Sequence, residues 1–306
     1  MKKTAFMFPG QGAQYVGMGK ELAEYYPEAD QVFEMASEAI GYDMKKLCFQ
    51  GPEEELKKTE NTQPAILTTS MAAYNILERK GFKPEVVAGL SLGEYSALVA
   101  SGSLSLQEAV LLVKARGKYM QEAVPLGQGK MAAIIGLSRE KVKNICREAD
   151  GVLEPANFNS PGQVVIAGET EAVEQGVEMA QSEGAKKAVV LPVSAPFHCR
   201  LLNPAGEKLA EDLEKVTIND PKIPLIANVH GDYVHKAEEI KEALIRQVSH
   251  SVYWEDSIQR MISDGIEHFV EVGPGKVLCG FVKRIDRKAV LHNVEDKKSL
   301  ENLLDY

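Results

Sequence analysis

The chain has 306 residues, 44% of them hydrophobic and 26% charged, a composition that fits a folded globular protein and excludes disorder or a fibre. Its formal net charge of −9 speaks against a general nucleic-acid binder, which needs a broad basic surface, and no apolar stretch approaches the length that crosses a membrane. Cys48, Cys146, Cys199 and Cys279 show no paired metal-ligand spacing and are too few for a disulfide scaffold, so a reducing cytoplasm is the simplest setting.

Thr4 to Phe8 reads as a short apolar strand, too short for a signal-peptide core. It ends in the loop Pro9-Gly10-Gln11-Gly12-Ala13-Gln14, and Met18 to Ala39 then carries apolar residues at helical spacing. Asn61-Thr62-Gln63-Pro64 opens a helix that runs through Leu77, with Pro64 suited to its first turn. Val86-Val87-Ala88 is the next strand, Glu94 to Val99 the helix after it, and Leu106 to about Val124 a further helix. This alternation predicts a parallel sheet covered by helices. Pro125 to Gly129 breaks the pattern. Met131 to Ile135, Gln163 to Ala167 and Ala188 to Val193 follow as strands, with helices over Glu140 to Ala149 and Glu171 to Glu183, a ferredoxin-like insert. Pro224 to Val229 and Ile266 to Val272 are expected to be the last parallel strands. The fold class expected is therefore α/β, a parallel-sheet, hydrolase-like large domain over 1–124 and 194–306 with a ferredoxin-like subdomain over 125–193. A chain of this length sits near the size at which one core stops growing, which agrees with two parts.

The most informative residues are Gly89-Leu90-Ser91-Leu92-Gly93. Between a strand and a helix they make a sharp turn with Ser91 at its apex, exposing a hydroxyl at a helix N-terminus. A tight strand-to-helix turn brings backbone against backbone, which favours glycine at 89 and 93. The Leu92 N–H can face an oxyanion forming beside Ser91. The loop at 10–14 fails as a nucleotide fingerprint, since the third glycine would fall at Tyr15, and as a phosphate loop, since Met18 stands where lysine is required. Its N–H groups instead face the same sheet edge as Ser91 and offer a second oxyanion donor.

Arg116 shares a helix face with Ala109, Val113 and Met120, and its neighbours one turn away include no carboxylate. A buried guanidinium without a partner is too costly to keep, so either a distant acid or a ligand carboxylate pairs with it, unless the side chain reaches water. A serine nucleophile needs a base, and of six histidines His198 leads because it stands in Ser194-Ala195-Pro196-Phe197-His198-Cys199, directly after a strand.

Pro9 to Gln14, Gly89 to Glu94, Arg116 within Lys114-Ala115-Arg116-Gly117, Asn157 to Gln163, Pro196-Phe197-His198 and Glu271-Val272-Gly273-Pro274-Gly275 occur in this order. Together they closely resemble the malonyl-CoA:acyl-carrier-protein transacylase family, stand-alone relatives of the acyltransferase domains of fatty acid and polyketide synthases. The resemblance runs from residue 4 to about 290. It implies Ser91 as nucleophile, His198 as its base oriented by a backbone carbonyl, that of Gln247, and the N–H groups of Gln11 and Leu92 as the oxyanion hole. It further implies Arg116 as the clamp on a malonyl carboxylate and Phe197 and Asn159 as pocket residues. Malonyl-CoA and acyl carrier protein are the implied partners; no metal or redox cofactor is expected, the phosphopantetheine belonging to the carrier. One departure stands out: Leu90 occupies a position where the family usually has histidine. Two other readings compete. A serine esterase or thioesterase of the α/β-hydrolase type shares the serine turn but uses water as acceptor and needs an acid behind the histidine, and a carrier-binding scaffold would not need the serine, histidine and arginine together.

Overall fold

The chain is described by a computed structural model over residues 3–193 and 195–306; Ser194 of the motif before His198 lies outside the described residues. Its strands are β1 (Thr4–Phe8), β2 (Val86–Gly89), β3 (Gly129–Ile135), β4 (Leu153–Ser160), β5 (Gln163–Glu169), β6 (Lys187–Val190), β7 (Leu225–Ala227), β8 (Asp232–Val234), β9 (His268–Val272) and β10 (Val290–Val294). They form two sheets. The larger has the order β10-β9-β1-β2-β7-β8 and is parallel except for the β7–β8 pair.

The period-2 geometry of β1 explains how this sheet is buried on both faces. Phe6 and Phe8 join a core with Met18, Phe33 and Leu67, while Ala5 and Met7 point the other way, to Trp254, Ile258 and Phe269. Such two-sided burial is why β1 and β2 read as continuous apolar runs rather than alternating ones. Each fully buried large side chain contributes on the order of 1.5–3 kcal/mol, so this central layer is a rigid base for the loops at its end.

The second sheet has the order β4-β5-β3-β6 and is antiparallel throughout. With the helices Arg139–Glu148 and Thr170–Ser182 the element order is β-α-β-β-α-β, the ferredoxin-like arrangement. Those helices cover one face, packing Val142, Ile145 and Val173 on Ile134, Phe158 and Ile166. From the other face Met131 and Val165 look into a cleft against the larger sheet.

Several elements differ from the sequence expectation. The helix expected over Met18 to Ala39 is two, Lys20–Tyr25 and Pro27–Ile40, because the residue before a proline is driven out of the helical region and Tyr26 is extended, with φ −128° and ψ 107°. The helix expected to open at Asn61 to Pro64 and run through Leu77 begins at Thr59 and ends at Arg79, so Pro64 lies inside it and not in its first turn. Strand β4 was not expected: Pro155, Asn157 and Asn159 are turn formers, yet the strand pairs along β5 with register shifts at Pro155/Asn157 and Phe158/Ser160. Strand β10, also missed, is a half-buried edge strand whose Val290-Leu291-His292-Asn293-Val294 carries only a weak apolar signal.

Candidate active site

The turn after β2 is built from close backbone approaches. A Cβ on Gly89 would fall on the Gly93 carbonyl, one on Gly93 would fall on the Phe8 carbonyl, and one on Gly10 would fall on the Leu90 carbonyl, so the loop after β1 and the turn after β2 touch main chain to main chain. Ser91 lies at the apex with φ 54°. Asn228, just past β7, ties the turn down: its Oδ1 accepts the Ser91 N–H at 2.6 Å and its Nδ2 donates to the Gly89 carbonyl at 2.7 Å.

His198 is the other non-glycine residue with positive φ among the described residues, at 62°. The two backbones held in this sparsely populated region belong to the two side chains that meet, since Ser91 Oγ and His198 Nε2 are 2.7 Å apart. His198 Nδ1 lies 2.7 Å from the Gln247 carbonyl oxygen. A carbonyl can only accept, so Nδ1 carries the proton, Nε2 is the acceptor, and the Ser91 hydroxyl donates to it. Burial, with the Arg116 charge as a second cause, lowers the His198 pKa to about 3. The ring is therefore a neutral acceptor at ordinary pH.

Arg116 is 1% exposed on the helix Leu106–Glu122. Its Nη1 donates to Gln63 Oε1 at 2.8 Å, and its Nη2 donates to Gln247 Oε1 at 2.9 Å and to Ser91 Oγ at 3.2 Å. All three acceptors are neutral oxygens, which hold the guanidinium in place without cancelling its charge. Tyr95 lies under the guanidinium, 5.5 Å from ring centroid to Cζ.

These groups open into a cleft of about 880 Å³ between the two sheets. Gln11, Leu92, Arg116, Phe197, His198 and Asn159 all line it. The main-chain N–H groups of Gln11 and Leu92 donate to no protein acceptor among the described residues, and Asn159 Oδ1 is buried without a hydrogen bond. Leu90 forms part of the wall. Among the described residues no group of three or more His, Cys, Asp or Glu side chains is arranged to hold a metal ion.

Every site residue singled out in the sequence thus lies at this cleft or, for Gln247, directly behind His198. Three residues that brace the site carry no role in the sequence reading: Gln63, which lines the cleft, and Asn228 and Glu94, buried behind it. For Glu94 the sequence does carry a signal, a carboxylate opening the apolar run Glu94-Tyr95-Ser96-Ala97-Leu98-Val99, which implies a buried polar contact. Gln63 and Asn228 carry no such signal, because their partners are distant in sequence.

The acyl transferase domain family model matches residues 5–300. The chain belongs to that family. It is 51% identical over 288 residues to the malonyl CoA-acyl carrier protein transacylase of Escherichia coli (strain K12), with 93% of each chain covered. It is similar to the crystal structure of malonyl CoA-acyl carrier protein transacylase from Clostridium perfringens, with a TM-score of 0.97 and 48% identity over 99% of this chain and 96% of that one. A malonyl-transacylase solved in complex with its type II PKS acyl-carrier protein is equally similar, with a TM-score of 0.97 and 45% identity over 99% of both chains. Among the described residues, no helix is long and apolar enough to cross a membrane.

Proposed function

We propose that this acyltransferase moves a malonyl group from malonyl-CoA to the phosphopantetheine thiol of an acyl carrier protein, through a malonyl ester on Ser91. The observation that carries this reading is the meeting of Ser91, His198 and Arg116: a hydroxyl hydrogen-bonded at once to a neutral imidazole and to a buried guanidinium whose other partners are uncharged. The named activities of the similar proteins agree with it.

In the first half-reaction the Ser91 proton passes to His198 Nε2 as Oγ attacks the thioester carbonyl. The negative charge on the carbonyl oxygen is received by the free N–H groups of Gln11 and Leu92. The C–S bond breaks, the leaving sulfur takes the proton from His198 Nε2 so that CoA departs as the thiol, and Ser91 carries the malonyl ester beside a neutral His198. In the second half the carrier thiol gives its proton to His198 and its sulfur attacks the ester. The C–Oγ bond breaks and Ser91 recovers its proton. The Gln247 carbonyl keeps Nδ1–H aimed away from the reaction and stabilises the imidazolium that forms in each half. Arg116 receives the malonyl carboxylate in a two-pronged contact, and that carboxylate offsets the guanidinium charge that otherwise opposes protonation of His198. These steps use side-chain and main-chain groups of this chain and a thiol supplied by the partner. We place the catalytic machinery on residues 1–124 and 194–306, with residues 125–193 forming the opposite wall of the cleft.

The test is the acceptor. Enzyme loaded from malonyl-CoA and freed of excess substrate is mixed with a phosphopantetheinylated acyl carrier protein or with buffer. Rapid appearance of malonyl on the carrier, against slow release of free malonate in buffer, supports a transferase. Equal rates of malonate release in both would instead indicate a hydrolase.

A further inference from the structure

Glu94 takes no part in the steps above, yet it holds both Gln247 and Asn228, which brace the reacting groups. It stands in the first turn of the helix Gly93–Ala100 and is 2% exposed. A single oxygen, Oε2, accepts from Gln247 Nε2 at 2.7 Å and from the Asn228 main-chain N–H at 3.1 Å. Asn228 anchors the nucleophile turn through the Ser91 N–H and the Gly89 carbonyl. Gln247 touches the reacting groups at three points: its main-chain carbonyl accepts from His198 Nδ1, its Oε1 accepts from Arg116 Nη2, and its Nε2 also donates to the Ser91 carbonyl.

The side-chain amide of Gln247 has two orientations, related by a half-turn that exchanges oxygen and nitrogen. In the observed one, NH₂ faces the Glu94 carboxylate and oxygen faces the Arg116 guanidinium. Turned over, two donors would oppose each other at Arg116 and two acceptors at Glu94. An ionised carboxylate can only accept and a guanidinium can only donate, so the two together admit one orientation.

We propose that Glu94 is a positioning residue: by fixing the Gln247 amide it sets the place of the Arg116 guanidinium and of the residue that orients His198, so that selectivity for a carboxylate-bearing acyl group depends on an acid that never touches the substrate. The inference rests on the functional reading above.

Burial raises the Glu94 pKa to about 7, with the hydrogen bonds from Gln247 and Asn228 and the Arg116 charge pulling the other way. The ionised form is thus lost as pH falls through neutrality, and with it the charge-assisted hold on Gln247 Nε2, leaving the amide held only by Arg116 and the Ser91 carbonyl. The charged and titratable groups that face it are Arg116 from the helix Leu106–Glu122, Tyr95 on its own helix, and His198 across Ser91. His198, near 3, does not titrate between pH 6 and 8, and burial moves the Tyr95 hydroxyl further upward. Glu271, also raised to about 7 by burial, lies apart at the end of β9, where it accepts the Cys279 N–H at 2.9 Å.

The test uses the full chain, wild type and Glu94→Gln, and measures the rate of Ser91 loading from malonyl-CoA and from acetyl-CoA between pH 5.5 and 9. The wild-type malonyl rate should fall through an acid limb near pH 7, and the malonyl-to-acetyl ratio should fall with it. Glu94→Gln should lose that limb, load malonyl roughly ten- to a hundredfold more slowly at pH 8, and lose most of the ratio. A variant with the wild-type limb and ratio would overturn the assignment, because Glu271 or another acid would then be responsible. Should the variant fail to fold by circular dichroism, the wild type decides alone: a malonyl-to-acetyl ratio constant across the limb overturns it. A wild type that forms no malonyl adduct at pH 8 refutes the functional reading itself, whereas an adduct that forms with Glu94→Gln behaving as wild type refutes only the role of Glu94.

Discussion

Replacing Arg116 by alanine should change which acyl group is transferred more than whether transfer occurs. The guanidinium is 1% exposed and held by Gln63 Oε1 at 2.8 Å and Gln247 Oε1 at 2.9 Å, so it meets an incoming carboxylate already oriented. Removing one partner of a buried, hydrogen-bonded ion pair costs roughly 3–5 kcal/mol. At about 1.4 kcal/mol per tenfold, malonyl transfer should drop by about two to four orders of magnitude. Acetyl-CoA has no carboxylate, and in the wild type it meets a guanidinium that still donates to Ser91 Oγ at 3.2 Å. Deleting that donor should leave acetyl transfer unchanged or faster. The assay is single-turnover loading of the enzyme from each thioester, read by mass spectrometry, with folding checked by circular dichroism. Arg116→Lys should fall between wild type and alanine, since a single ammonium cannot span both carboxylate oxygens. Equal losses on both substrates in a folded Arg116→Ala protein would refute the clamp.

His198→Ala should slow loading by about six orders of magnitude, the scale on which a serine enzyme loses kcat when its histidine base alone is removed. Because a main-chain carbonyl and not a carboxylate accepts from Nδ1, no acid-to-amide substitution in a scan of the chain should match that loss, and one that did would point to a hidden triad. Asn228→Ala strips the acceptor from the Ser91 N–H and the donor from the Gly89 carbonyl; at about 1–3 kcal/mol per buried group left unpaired, a lower melting temperature and a slower enzyme are expected together. With the His198 pKa lowered to about 3 by burial and the Arg116 charge, and a charge on Arg116 that only a carboxylate offsets, His198 itself should impose no loss of loading from acetyl-CoA above about pH 4. In Glu94→Gln the rate from pH 5.5 to 8 should therefore be flat, and a limb remaining near pH 6.5 would contradict the neutral, buried base.

What the sequence made legible follows how local the cause is. The Ser91 turn was readable because a strand, two glycines and a helix lie together between Val86 and Ala100 and the glycines have a steric reason, which the contacts of Gly89 and Gly93 bear out. Arg116 was readable as misplaced charge on an apolar face, but its neutral partners Gln63 and Gln247 lie 53 and 131 residues away and could not be found by spacing. Asn228 and Glu94 meet across 134 residues, and only the parallel neighbours β2 and β7 bring them together. Strand β4 was hidden because its local preference opposes its final state: Pro155, Asn157 and Asn159 favour turns, while pairing with β5 overrides them. The split at Pro27 was the opposite case, a local signal that the long apolar period masked.

The central claim is a covalent malonyl group on one oxygen. Incubation with malonyl-CoA, rapid acid quench, proteolysis and peptide mass spectrometry should find a malonyl adduct on the peptide that contains Ser91, and should find none in Ser91→Ala protein that is folded. A malonyl adduct at any other residue, or one of equal yield in Ser91→Ala, would contradict it.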